Sequence, residues 1–193
     1  MARRITIIQG HPDPRANHFG HALAEAYAQG AEAAGHELRR IEVARLDFPL
    51  LRTKEEFEKA APPASIREAQ EAIRWADHLV ILYPLWLGGM PALLKAFLEQ
   101  VFRHGFAMTT EGRRWPKKLL KGKSARIVVT MGMPAFFYRW YFGAHSLKSF
   151  TRSVLGFAGI GPIRTSLIGM VEGSDARRRK WLKTMRALGL DSR

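Results

Sequence analysis

The chain of 193 residues contains no cysteine. That excludes disulfide staples and every metal site built on thiolate. It also lacks a long apolar run. The longest uncharged stretch, His78 to Leu94, is broken by Pro84, Gly88, Gly89 and Pro91, so it reads as strand, loop and helix start rather than a membrane span. The opening "MARRITIIQGHPDP" has an apolar core too short for a secretory leader and no cleavage pattern, which predicts a soluble, cytoplasmic protein. Acidic residues are scarce, with 17 against 31 lysines and arginines, a net charge of +14. One basic cluster comprises Arg113, Arg114, Lys117, Lys118, Lys121, Lys123 and Arg126, and a second runs from Arg177 to Arg186. Such surfaces are either solvated faces or attractors of anionic cofactors, acidic lipid or nucleic acid, and charge alone does not choose.

Several familiar motifs are missing too. No G-x-G-x-x-G follows the first strand pattern, which argues against a dinucleotide site of the Rossmann kind. "GKS" at Gly122 to Ser124 ends like a phosphate loop, but Lys117 stands where the first glycine belongs and a strand pattern follows. No G-x-S-x-G is present, so a serine hydrolase of the elbow type is unsupported. His11, His18 and His21 have no carboxylate or thiol at a matching ligand spacing, and no metal site is expected.

What is present is an alternation of strands and helices. "RITIIQ" reads as strand one, and a helix follows from about Asn17 to Ala34, with Phe19, Leu23 and Tyr27 on one face and Gly35 to end it. "ELRRIEV" alternates and belongs near an edge, whereas "HLVILY" is continuously apolar and belongs at the centre. Ser65 and Glu68 predict a capping box for the helix running to Trp75. Pro91 suits the first turn of the helix carrying Leu94, Phe97 and Val101. "ARIVVTM" and "IRTSLIG" are strands four and five, "GFAGIG" is a helix-to-strand turn, and "DARRRKWLKTMRAL" is a closing helix capped by Ser174 or Asp175. Ala44 to Pro63 is the least regular stretch. Five strands separated by helices imply right-handed crossovers, hence one α/β domain over 1–193 with a doubly wound, five-stranded parallel sheet of order 2-1-3-4-5 and helices on both faces. In that arrangement a ligand lies beyond the carboxyl ends of the strands at the switch point. The rule selects the loops after Gln9, Tyr83 and Met131.

The first of these, "GHPDPRANHFGH", offers a helix N-terminus whose free N–H groups and partial positive charge suit a phosphate. His11, Asn17 and His18 add donors and Arg15 a full charge; the bland alternative is an ordinary turn with Asn17 as cap. The second, "YPLWLGG", places Leu85, Trp86 and Leu87 where a flat aromatic ligand would stack, or where a neighbouring subunit would pack. The third contains an aromatic run from Phe136 to Phe150 that reads mostly as core or interface, with Tyr138 and His145 as donors able to address a reacting oxygen.

Together the three loops resemble the NAD(P)H-dependent flavin oxidoreductases of the quinone reductase type, a family with a flavodoxin-like fold. The resemblance runs from "ITIIQGHP" to "IRTSLIGMVEG", and its most specific part is "YPLWLGGMPALLKAFLEQVFRHGFAM". It implies that His11, Asn17, His18 and Phe19 hold the phosphate part of a flavin, FAD or FMN. It places Pro84, Leu85, Trp86 and Leu87 along the isoalloxazine ring. Thr130 and Gly132 match the family's Thr-Thr-Gly-Gly loop, from which Met131 and Met133 depart. Tyr138 and His145 correspond to the tyrosine and histidine thought to steady charge during hydride transfer. The implied reaction is ping-pong, with a hydride passing from NAD(P)H through flavin N5 to a quinone or similar acceptor. A homodimer is implied as well, and the aromatic segment could supply its interface.

The rival readings differ in class. A flavodoxin electron carrier is disfavoured by the absence of a Ser/Thr-rich phosphate loop and by the basic charge. Some relatives are regulatory, ancillary subunits of membrane potassium-efflux transporters, and peripheral membrane contact through the basic clusters would fit that role. Nucleic-acid binding lacks any reading motif and is not expected.

Overall fold

A computed structural model describes residues 2–15, 17–109 and 117–193. The elements in order are β1 (Arg4–Gln9), α1 (Phe19–Ala33), β2 (Glu37–Glu42), α2 (Lys54–Glu58), α3 (Ala64–Trp75), β3 (His78–Pro84), α4 (Ala92–Val101), β4 (Met108–Thr109), β5 (Lys117–Lys118), β6 (Ser124–Thr130), α5 (Ala135–Trp140), α6 (His145–Ser149), α7 (Gly156–Ala158), β7 (Ile163–Ile168) and α8 (Asp175–Leu190). Arg113 and Arg114 of the first basic cluster lie outside the described residues. Among the described residues no helix is long and apolar enough to cross a membrane.

β1, β2, β3, β6 and β7 form one parallel sheet of order β2-β1-β3-β6-β7. With the short antiparallel hairpin of β4 and β5 set aside, this is the expected order 2-1-3-4-5 in a flavodoxin-like α/β fold. Side chains alternate across the sheet and feed two cores. Ile5, Ile7, Val80, Leu82 and Val128 pack under α1 and α8. Ile8, Leu79, Ile81, Tyr83, Ile127 and Val129 pack under α3, α4 and the helical segment before β7. Because both faces are covered, β3 is apolar and buried from Leu79 to Tyr83 and β6 is buried from Ala125 onward, Arg126 included, whereas the edge strand β2 does not alternate as expected and buries only Ile41. The chain turns from β2 back across β1 to β3, so the switch point lies between β1 and β3.

Local structure corrects the sequence reading in several places. α3 begins one residue before Ser65, with Pro63 at its N-cap, and the Ser65 hydroxyl donates to the Asp47 carbonyl at 2.6 Å. The expected capping box does not form; Ser65 pins the irregular strap of residues 44–63 instead. Proline serves at that end because its missing N–H would have had no intrahelical acceptor. Pro91 likewise occupies the cap of α4 rather than its first turn. α1 starts at Phe19 with His18 at the N-cap, so Asn17 is not the cap. At the start of α8, Ser174 holds the cap position without a side-chain bond, and Asp175 pairs with Arg178. The aromatic run is mostly outside the core: Tyr138 and Phe150 are buried, whereas Phe136, Phe137, Trp140, Tyr141 and Phe142 are exposed.

Candidate active site

The loops after β1, β3 and β6 meet at the carboxyl end of the sheet, held there by named bonds. Gly10 N–H donates to the Leu82 carbonyl at 2.7 Å and Leu85 N–H to the Thr130 carbonyl at 2.7 Å. His11 meets Trp86 edge-on at 6.3 Å. The second and third loops are joined through Ser146, whose hydroxyl donates to the Gly88 carbonyl at 2.6 Å. Since that proton is committed, Tyr138 donates its own to Ser146 Oγ at 2.9 Å. A tyrosine, a serine and a backbone carbonyl thus form one relay between loops.

The opening loop is an imidazole cluster on a bare helix end. His11 and His18 stack with centroids 4.0 Å apart, and His21, one turn into α1, lies 5.4 Å from His11. Asp13 N–H donates to His11 Nδ1, which leaves the ring proton of a neutral His11 on Nε2. Asp13 Oδ2 lies 2.8 Å from His18 Nε2 and 2.6 Å from Arg15 Nη2. These partners, the Arg15 guanidinium foremost, hold the Asp13 carboxyl far below the usual carboxylate range. Burial, aided by the other two imidazoles, pulls His11 down to about 4, and burial also lowers His21. Both rings are therefore neutral donors at pH 7. The first turn of α1 has no acidic residue and no side-chain cap; His21 N–H turns back to the His18 carbonyl at 2.9 Å, and the Phe19 and Gly20 N–H groups have no partner among the described residues.

These residues fit a phosphate-bearing group. Gln9 Nε2 and His21 Nδ1 are buried without a partner among the described residues, and both side chains line the same cavity of about 710 Å³ as Asn17, His18 and Phe19. Arg40 of β2 and Arg178 of α8 line its wall together with Glu25 and Glu42, Arg40 paired with Glu25 at 2.6 Å and Arg178 with Asp175. Pro84, Leu85, Trp86, Leu87, Thr130 and Gly132 do not line that cavity; they form the adjoining rim. Leu85 packs on the core, while Trp86 and Leu87 stand in solvent on a tight turn closed by reciprocal Trp86–Gly89 bonds of 2.9 Å. Leu87 holds a left-handed φ of +47°, a strained state for a branched side chain. Thr130 is buried, and Gly132 opens to solvent with nothing within 4 Å of where a β-carbon would stand. His145 is exposed at the start of α6, its ring folded over Gly143.

Sequence reasoning missed Asp13, His21 and Ser146. His21 carries a readable signal, being three residues from His18 on the first turn of a helix. Asp13 and Ser146 act through loop conformation and have none. No group of histidines and carboxylates able to hold a metal ion is present among the described residues, the Asp13–His18 pair included.

Comparison with known proteins places the chain in a family. An uncharacterized NAD(P)H oxidoreductase of Haemophilus influenzae is 29% identical over 178 residues, 90% of this chain and 87% of that protein. A glutathione-regulated potassium-efflux system ancillary protein of an Enterobacter species is 33% identical over 128 residues, covering 66% of this chain and 60% of its own. An NAD(P)H:quinone oxidoreductase of Methanothermobacter marburgensis superposes with a TM-score of 0.85 at 25% identity, over 100% of both chains. A family model described as a flavodoxin-like fold matches residues 3–188, and the chain belongs to that family.

Proposed function

We propose that this chain is a flavin-dependent NAD(P)H oxidoreductase that reduces a quinone or a similar two-electron acceptor. One observation carries the reading: a phosphate-receptive helix end and two loops joined across the strand tips form a single rim at the switch point, where this fold binds ligands. The NAD(P)H oxidoreductase relatives support it. When bound, a flavin, FMN or FAD, would supply the two-electron relay between NAD(P)H and the acceptor, each using the cleft in turn. The chain's own part is positional. His11, His18, Arg15 and the first-turn N–H groups of α1 would hold the phosphate. The Leu85–Gly89 backbone and Thr130 would flank the ring. Tyr138, acting through Ser146, fixes the Gly88 carbonyl and with it the 86–89 turn. His145 stands free to meet a substrate oxygen. A cytoplasmic location goes with this reading.

The test is a visible spectrum recorded after incubation with FMN or FAD and removal of the excess. A retained flavin spectrum that bleaches under nitrogen on addition of NADPH or NADH is the expected result. A colourless protein under every condition would remove the enzyme reading. Tyr138→Phe and His145→Ala should each retain the flavin yet slow turnover roughly tenfold, the effect of losing about one hydrogen bond. Unchanged rates in both would take these side chains out of the mechanism.

The resemblance to the potassium-efflux ancillary protein favours a second reading, a flavin-binding regulatory subunit. Capture by a membrane transporter, without acceptor turnover, would favour it over the first.

A further inference from the structure

The candidate active site sits at the carboxyl ends of the strands. The amino ends, at the opposite pole, carry a polar cluster that the proposed reaction does not use. Strand register builds it: His78 stands beside Ser124 across β3 and β6, and Arg126 beside Arg164 across β6 and β7. By two-residue alternation all four share the face that holds Val80 and Val128 under α1 and α8. Arg3, just before β1, reaches the same place. Two arginines side by side on neighbouring strands repel each other.

The cluster is rich in donors and short of acceptors. Arg3 donates to the Ser192 and Asp77 carbonyls and, at 2.9 Å, to Ser124 Oγ. Arg126, only 6% exposed, donates to Ser166 Oγ at 2.7 Å and to the Arg193 main-chain oxygen at 2.6 Å. None of Arg3, Arg126 and Arg164 has a side-chain carboxylate partner among the described residues. Burial, with those three guanidinium groups facing the ring, pulls His78 down to about 3, so it is neutral at pH 7. Ser124 Oγ lies 2.8 Å from His78 Nδ1; having accepted from Arg3, it donates there, and the ring proton sits on Nε2. That Nε2 is buried without a partner among the described residues. So is the Tyr27 hydroxyl, which faces Arg126 and Arg3 from α1. Buried donors and cations are costly until an acceptor or an opposite charge reaches them.

A cavity of about 230 Å³ opens on this cluster, and its wall includes Arg3, His78, Ser124, Arg164, Asp191 and Arg193. Asp191 is the one acid in that wall among the described residues, and it is paired with Arg193 at 3.7 Å. We propose that this pole is a binding site for a small phosphate-class oxyanion, free phosphate or a small monoester, held between Arg3 and Arg164 beside His78. Charge selects the sign of the ligand, because a cleft lined by cations over a low-dielectric interior concentrates its field on an anion. Geometry selects the class, since guanidinium forks match phosphate oxygens. Size selects a small one: the volume falls below the range that drug-sized ligands occupy. This inference stands apart from the proposed reaction, and its test does not need turnover.

The probe is inorganic phosphate, added at fixed ionic strength in chloride buffer to the chain carrying His11→Ala and His18→Ala. Those changes weaken the other phosphate-receptive end, so the outcome does not depend on whether a flavin binds there. The expected result is one saturable site by calorimetry, with the His78 ring resonances shifting in step. Arg164→Gln combined with Arg193→Gln should weaken binding roughly tenfold. Arg179→Gln combined with Lys183→Gln removes the same charge from the exposed face of α8 and should leave binding unchanged. All four side chains are exposed, so melting temperatures should match the parent. Glycerol 3-phosphate distinguishes the sources: equal affinity identifies the free ion, and tighter binding a monoester. No saturable binding would overturn the proposal, as would equal weakening by both pairs, which means diffuse attraction to net charge. His78 resonances that stay fixed while phosphate binds would place the ion elsewhere and overturn it too. A chain extended by Gly-Gly after Arg193 completes the test, and binding should persist in it. Binding seen only in the extended chain would assign the cavity to a terminal carboxylate instead.

Discussion

Gly189→Ala is expected to destabilise the protein by about 3 kcal/mol, at the upper end of ordinary overpacking costs. A β-carbon at Gly189 would stand 2.1 Å from the Tyr27 carbonyl oxygen and 2.9 Å from the Ala31 nitrogen. The reciprocal approach is as close, since a β-carbon at Gly30 would lie 2.0 Å from the Arg186 carbonyl oxygen. These are backbone atoms of facing helices, α1 and α8, so no rotamer change relieves the contact and the helices must separate. Alanine's advantage over glycine inside a helix, about 1 kcal/mol, is smaller than that cost. For a chain of this size the melting temperature should fall roughly 6–12 °C. Gly20→Ala in the first turn of α1 is the control, because its β-carbon would meet only Gln9 Oε1, at 4.0 Å. A Gly189→Ala melting temperature within about 2 °C of the parent would mean the two helices are not locked at this crossing. The consequence reaches the site, because α8 sets where the N-terminus of α1 points.

That crossing was invisible in the sequence, where Gly30 and Gly189 look like weak points in helix patterns. The sheet was legible for the opposite reason. Covering both faces makes β3 apolar from Leu79 to Tyr83 and buries β6 even at Arg126, while the edge strand β2, read as alternating, buries only Ile41. Five strands alternating with helices over this length pointed to the doubly wound order 2-1-3-4-5, and that order selects the loops at the carboxyl ends of the strands. Gly35, read as the stop of α1, has the left-handed φ of +75° that such a stop requires.

Side-chain partners were less legible. Ser65 and Glu68 satisfy the capping pattern, yet a carbonyl from the strap residues offered Ser65 a tertiary acceptor and Pro63 took the cap. The aromatic run from Phe136 misled in another way. Aromatic residues at helical spacing read as core, but only one stripe of a short surface helix can face inward. In α5 that stripe is Tyr138, leaving its neighbours to solvent. Asp13 shows the limit most clearly, since its bond to His18 depends on how Pro12 and Pro14 bend the loop rather than on any spacing.

The same loop yields the second large effect. His11→Ala combined with His18→Ala should weaken binding of FMN roughly 10- to 100-fold, the loss of one or two hydrogen bonds to a charged group. The affinity of the unaltered chain should also depend on pH, and the sign follows from linkage. Burial and neighbouring imidazoles hold His11 at about 4 before any anion arrives, and His21 is lowered as well. A phosphate placed among them favours the protonated rings and raises both values, so binding takes up protons. Affinity therefore rises as pH falls from 8 toward 6, and gains less below about 6, where the phosphate dianion itself takes up a proton and becomes a monoanion. The histidine variant should be both weaker and flatter across that range. Asp13, held ionised throughout by Arg15, contributes no slope there. Equilibrium titration of apoprotein by flavin fluorescence at several pH values measures all of this. A parent chain with no pH dependence would show that the helix N–H groups alone hold the phosphate and that the imidazoles only shape the loop.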